Sequence, residues 1–297
     1  MSHKTEFILF KIFRKIILML PFKSAQRLGA ILGAGAYYIV SGRRNIAMDN
    51  LRHAFPEKTE EERIVITKGA FRNFGIAFVE LLWFPNFNDK NLFQVVRLSN
   101  EQTVYDAEHA GKGIILLTGH FGSWELSALA AGRIVNSPLV IIVQTQNNLL
   151  VDKVINEHRC ALGNRVVPMG MSVREIIRTL NNHGAVALAA DQSAAMESIH
   201  IEFFGRKVTT HEGPAVFSLK TGAPIIMQFI IRQPDMSYVF RFEPISSDNL
   251  PEDHEAAVEE LTLRHTKMLE RYIRQYPDQW LWLHRRWKHL EESVPHA

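Results

Sequence analysis

The chain has 297 residues, 46% hydrophobic, 22% charged and 10% aromatic, a balance that supports one large packed domain and excludes a disordered chain. Its single cysteine, Cys160, excludes an intramolecular disulfide framework and fits a reducing compartment. The net charge is only +3, but residues 1–53 hold nine Lys/Arg against Glu6 and Asp49, residues 264–289 hold seven against Glu270 and Asp278, and the stretch between is acidic; on charge alone, nucleic acid and anionic lipid are both admissible partners.

The first element, Phe7 to Phe22, reads FILFKIFRKIILMLPF. Lys4, Lys11 and Lys15 fall on one helical face with Arg14 beside them, and Phe, Ile and Leu fill the rest. Such a helix lies in the headgroup region of a bilayer. Its charges interrupt it too often for a full span of ~20 apolar residues. No small-residue cleavage site follows, so a cleavable signal peptide is not expected. The next apolar stretch, Leu28 to Val40, is also too short to span. Gly29 and Gly33 at small-x-x-x-small spacing suit either close helix packing or membrane contact. These segments predict membrane-associating helices over residues 1–41 and a catalytic body over 42–297.

In the body, helical patterns cover Glu60 to Leu82 and Val104 to Ala110. Strand Ile114–Leu117 follows, then a helix from Trp124 to Ile134 and strand Leu139–Val143. A helix over Leu150–Ala161 stops at Gly163. Strand Arg165–Val167, helix Val173–Leu180 and strand Val186–Ala190 continue the alternation. Pro224–Ile231 and Tyr238–Phe242 read as a strand pair near an edge, and a helix from Glu255 to Gln275 closes the domain. There is no internal repeat, low-complexity tract or long linker. The fold class this predicts is α/β, a mixed and largely parallel sheet flanked by helices, with a membrane-associated N-terminal helix.

Ligands of such sheets sit beyond the carboxyl ends of strands. Three polar groups fall there: His120, Gln144 and Asp191-Gln192. His120 follows a buried strand within Thr118-Gly119-His120-Phe121-Gly122-Ser123-Trp124-Glu125 and suits a general base. Positions five apart on one helix diverge by roughly 140°, so His120 belongs in the turn and Glu125 in the first turn of the next helix, with Ser123 as N-cap. Glu125 is then placed to fold back and hold one imidazole nitrogen, and the helix start to bind an oxyanion or a phosphate. The plainer alternative is a loop histidine beside a dipole-complementing glutamate; for Asp191 it is a cap. A zinc site is disfavoured, because the i, i+4 histidine pair of H-E-x-x-H is missing. There is no P-loop, no G-x-G-x-x-G after a strand and no G-x-S-x-G elbow around Ser123.

These residues make the chain resemble the bacterial late acyltransferases of lipid A biosynthesis, of lauroyl/myristoyl type, within the glycerolipid acyltransferase superfamily. His120 and Glu125 match the family's H-x-x-x-x-E signature in a TGHFGxWE context. Gly42–Pro56 (GRRNIAMDNLRHAFP) matches its arginine–asparagine region. Gly163-Asn164-Arg165, Asp191-Gln192, Phe203-Phe204-Gly205-Arg206, Glu212-Gly213-Pro214-Ala215, Thr221-Gly222-Ala223-Pro224 and Gln279–Lys288 follow in order. One departure is Gln144, which stands where many members carry an arginine.

The resemblance implies transfer of a fatty acyl chain from a thioester, acyl carrier protein or coenzyme A, to a hydroxyl of a lipid A precursor at the cytoplasmic face of the inner membrane. No further cofactor and no metal are implied. His120 would deprotonate the acceptor hydroxyl and Glu125 would orient His120, with no acyl-enzyme. Arg159 and Arg165 become candidates for phosphate or the oxyanion, Asp191 and Gln192 for lining the site. Phe203 and Phe204 suit an acyl channel or the core equally. The Gln144 departure leaves room for another glycolipid, an aminolipid or a lysophospholipid as acceptor. A non-catalytic membrane-binding protein and a basic nucleic-acid binder are the readings from other classes. The intact His120–Glu125 pair speaks against the first. The aromatic and basic cluster Trp280–Lys288 fits a membrane interface as well as the second, so no nucleic-acid partner is expected.

Overall fold

The computed structural model describes residues 2–289. Four helices come first: α1 (His3–Met19), α2 (Phe22–Ile39), α3 (Ser41–Ala54) and α4 (Glu60–Trp83). Then follow α5 (Asp89–Val95), β1 (Val96–Ser99), α6 (Gln102–His109), β2 (Ile114–Thr118), α7 (Trp124–Ala131), β3 (Val140–Val143), α8 (Leu149–Arg159), β4 (Arg165–Pro168), α9 (Ser172–Asn181) and β5 (Ala185–Ala189). The chain ends with β6 (His200–Phe203), β7 (Arg206–Thr209), α10 (Gly213–Thr221), β8 (Ile225–Arg232), β9 (Tyr238–Pro244) and α11 (His254–Gln275).

The seven-stranded sheet has the order β1-β9-β8-β2-β5-β3-β4. Only the β8–β9 pairing is antiparallel, so the sheet is mixed and largely parallel, as the alternation of elements predicts. β2, buried at every position, lies near the middle. Its side chains alternate between two cores, Ile115 and Leu117 into one and Ile114 and Leu116 into the other, the period of two that a strand covered on both faces requires. The expected strand pair over 224–242 is present, but β8 lies beside β2 and the short strand β1 covers the outer edge of β9. β1 has only four residues, Val-Arg-Leu-Ser, too few for a periodic signal. β6 and β7 form a separate hairpin.

Among the described residues no helix is long and apolar enough to cross a membrane. Of the two roles open to Gly29 and Gly33, the structure shows close helix packing. A Cβ on Gly33 would come within 2.2 Å of the Phe71 carbonyl oxygen of α4, and one on Gly75 within 2.3 Å of the Gly29 carbonyl oxygen. α1 packs Phe10, Phe13 and Ile17 inward and leaves Ile8, Leu9, Ile12, Ile16 and Met19 exposed. Residues 290–297 of the expected body lie outside the described residues.

Candidate active site

The register of the two central strands builds the site. β2 and β5 run parallel with Thr118 opposite Ala189, so residues two further on, His120 and Asp191, leave the sheet side by side. His120 Nδ1 is 2.7 Å from Asp191 Oδ1, and the His120 backbone N–H donates to Asp191 Oδ2 at 2.7 Å. The Trp280 indole N–H donates to the same Oδ2, also at 2.7 Å. A Cβ on Gly119 would meet Asp191 Oδ2 at 2.9 Å, so a larger residue there would press on the carboxylate. The other imidazole nitrogen, Nε2, has the Gln192 amide nitrogen 3.4 Å away.

Asp191 is buried, and burial alone would raise its pKa. His120 and the donated hydrogen bonds outweigh that and hold it down at about 2. Burial likewise pushes His120 down, but the Asp191 carboxylate, with Glu125 as a further negative charge, lifts its pKa above the usual 6.5. With Asp191 ionised and accepting from Nδ1–H, the neutral imidazole presents Nε2 as the proton acceptor.

Glu125 stands in the first turn of α7, as its spacing predicts, but does not hold the imidazole. Both its oxygens accept from Arg159 of α8, at 2.5 and 2.9 Å. Arg159 also donates to Asn156 Oδ1 at 2.9 Å. A guanidinium fork matches a carboxylate with two parallel bonds, and both side chains are largely covered, so this pairing excludes the fold-back expected for Glu125. Arg159 is thus the partner of Glu125. Ser123 occupies the cap position, yet its hydroxyl donates to Glu80 Oε2 of α4 at 2.5 Å and makes no cap bond.

Three expected site residues are engaged otherwise. Arg165 begins β4, opposite Val140 at the start of β3, so it sits on the amino-terminal rim of the parallel sheet, exposed, in an ion pair with Glu175. Gln144 follows β3 at the correct rim but is exposed, its carbonyl accepting from the Gln146 amide at 3.2 Å. Phe204 takes φ 51° in the β6–β7 turn and is buried among Phe55, Phe203, Trp282 and Trp287, with the Arg274 guanidinium 4.5 Å from its ring centre. Of the two readings for Phe203 and Phe204, the structure shows core aromatics.

The loop that carries His120 is braced from two directions. Behind it, Asn73 of α4 donates to the Gly122 and Gln279 carbonyls at 3.1 and 3.2 Å. Fully buried Glu80 accepts from Ser123, Tyr238 and Gln26 and faces Arg232 at 3.6 Å. From the other side comes the segment after α11. Phe121 bridges Trp280, Gly122 N–H donates to the Gln279 carbonyl at 2.7 Å, and Leu281 N–H donates to the His120 carbonyl at 3.0 Å. Asn50 pins that segment through the Trp282 and His284 carbonyls at 2.7 and 2.6 Å, and Arg43 through Leu283 at 3.0 Å. The arginine–asparagine stretch thereby has a structural task.

The family model of the bacterial lipid A biosynthesis acyltransferases matches residues 1–289. The lipid A biosynthesis palmitoleoyltransferase of Escherichia coli K12 is 30% identical over 274 residues, 91% of this chain and 86% of its own length. The chain is a member of the bacterial lipid A biosynthesis acyltransferase family. The E. coli K12 lauroyltransferase of the same pathway is 25% identical over 94% of this chain and 90% of its own. A phosphatidylinositol mannoside acyltransferase of Mycolicibacterium smegmatis is 20% identical over 71% of this chain and 70% of its own. The protein is therefore an acyltransferase. His120 and Asp191 meet at the carboxyl ends of β2 and β5, and the Glu125–Arg159 pair lies close enough to act on the His120 charge.

Proposed function

We propose that this acyltransferase moves a fatty acyl chain from an acyl carrier protein or coenzyme A thioester to a hydroxyl of a lipid A precursor, with His120 as general base. The observation that carries the mechanism is the His120–Asp191 contact, which fixes the imidazole with Nε2 outward. Nε2 takes the proton of the acceptor hydroxyl as its oxygen attacks the thioester carbonyl. The carbon–sulfur bond then breaks, and the departing thiolate takes the proton back from His120. Asp191 keeps its negative charge throughout and stabilises the imidazolium, as a buried carboxylate does in a hydrolase triad. Backbone N–H groups of the first turn of α7 supply donors for the oxyanion. Glu125 acts through its charge on His120 and by fixing Arg159, whose guanidinium adds positive charge beside the reacting oxygen.

The names of the two E. coli relatives support lipid A as the acceptor. The mannoside acyltransferase, together with the exposed Gln144, favours another glycolipid as the second reading. Membrane attachment at the inner membrane's cytoplasmic face is supported by the exposed apolar stripe of α1 beside Lys11 and Lys15, a pattern suited to lying on anionic lipid. The deciding experiment is lipid mass spectrometry of cells lacking the gene, complemented with wild type or His120→Ala. Lipid A short of one chain, restored only by wild type, is the expected result. An unchanged lipid A with another lipid short of a chain replaces the acceptor.

A further inference from the structure

Aromatic rings lead away from the catalytic imidazole along the surface. The Trp124 ring centre is 5.3 Å from that of His120. Phe74 of α4 stacks on Trp124 at 6.4 Å and 23°. One turn further along the same face of α4 comes Phe78, which stacks on Phe13 of α1 at 6.5 Å and 8°. Phe74 and Phe78 remain 41% and 36% exposed. Open phenyl rings beside a polar centre gain free energy when hydrocarbon covers them. The strip ends at α1, where exposed Ile12 and Ile16 adjoin exposed Lys11 and Lys15.

We propose that the strip Trp124–Phe74–Phe78–Phe13 seats a fatty chain of the lipid acceptor, entering sideways from a bilayer on which α1 lies. This rests on the acyl-transfer reading above. The acceptor is the occupant because the strip opens at the cationic, apolar face of α1, which suits an anionic lipid at a membrane surface. A water-soluble thioester has no reason to arrive from that side.

The protein carries its own reporter. Trp83, Trp280, Trp282 and Trp287 are buried, leaving Trp124 as the tryptophan open to an approaching chain. Full-length wild-type and His120→Ala protein are mixed with phosphatidylethanolamine–phosphatidylglycerol vesicles holding a few mole per cent of a lipid A precursor with a bromine-labelled chain. Part of the tryptophan emission is expected to be quenched in both, and Trp124→Phe removes that part. Phosphatidylglycerol labelled at the same density is expected to leave the emission unchanged. In turnover, Phe74→Ser with Phe78→Ser raises KM for the lipid acceptor roughly tenfold and leaves KM for acyl-CoA within about twofold, a split that a general loss of structure does not give. Equal quenching by labelled phosphatidylglycerol overturns the proposal, because the strip is then a bulk bilayer contact. Quenching by bromine-labelled acyl-CoA without acceptor also overturns it, as does an unchanged acceptor KM. Binding is read in His120→Ala protein, which performs no transfer. Absent quenching therefore counts against the strip, and absent transfer alone counts against the reaction.

Discussion

His120 and Asp191 face each other because each stands two residues beyond one register pair, Thr118 and Ala189, of adjacent parallel strands. They stand 71 positions apart in the sequence, and the strand register brings them together. Asp191→Asn keeps the shape but removes the charge that lifts the His120 pKa. The expected result is a loss of kcat on the order of 10²–10⁴-fold with little change in Tm. The activity that remains should keep its acid limb at lower pH than wild type. In wild type, rate falls as pH drops through the raised His120 pKa, since the base must be unprotonated. A pH–kcat profile of the two proteins decides it. His120→Ala should retain no more than background.

Glu125→Gln strands the Arg159 guanidinium in a covered site. Breaking one side of a buried pair costs about 3–5 kcal/mol, which corresponds to a fall in Tm of roughly 5–8 °C for a chain of this size. Glu125→Gln combined with Arg159→Met should recover most of the Tm but none of the rate. A double-mutant cycle on Tm and on kcat separates the two tasks of the pair.

Gly122 has φ +59°, and a Cβ there would lie 1.8 Å from the Ile230 carbonyl oxygen. Gly122→Ala must therefore displace the loop from β8, at a cost of at least about 2 kcal/mol. The rate should fall with the stability, because the loop carries His120. Chemical denaturation and initial rates on the same preparation test this.

His265 of α11 is buried, and burial holds its pKa down at about 3, against an ordinary 6.5. The unfolded state takes up this proton first, so the contribution of neutral His265 is complete above pH 6.5. It is lost progressively as pH falls from 6.5 toward 3. His158 works in the same direction: burial lowers its pKa, while Arg14 donates to its Nε2 at 2.7 Å and its Nδ1 donates to the Leu81 carbonyl. His265→Gln should flatten the stability–pH slope by up to about 1.4 kcal/mol per pH unit in urea melts between pH 4 and 7.

Much of this architecture is legible in the residues. Ile114 to Leu117 reads as a buried strand, and in an alternating α/β pattern the histidine beyond it falls at the ligand-binding rim of the sheet, though a plain loop histidine fits the same spacing. The partner of that histidine is less accessible. Glu125 is near in sequence, but α7 turns it toward α8, where Arg159 offers a bidentate bond that an imidazole cannot match. The pairing of Asp191 needs strand order, which hydrophobic patterning leaves open. Arg165 illustrates the reverse error: a basic residue beside a strand is useful only at the carboxyl end, and Arg165 stands at the amino end. Asn73 and Glu80 carried no local signal, and Trp280 stood out only as part of an aromatic and basic cluster, since their roles depend on contacts across long stretches of chain.

Order of synthesis gives the closing segment a further consequence. Trp280 and Leu281, which bind Asp191 and the His120 carbonyl, leave the ribosome after every strand of the sheet. A nascent or prematurely stopped chain with all seven strands carries both members of the dyad but lacks the indole bond on Asp191 and the amide on the His120 carbonyl. A chain stopped between β9 and Trp280 is therefore expected to hold His120 and Asp191 without these two bonds and to transfer acyl groups poorly.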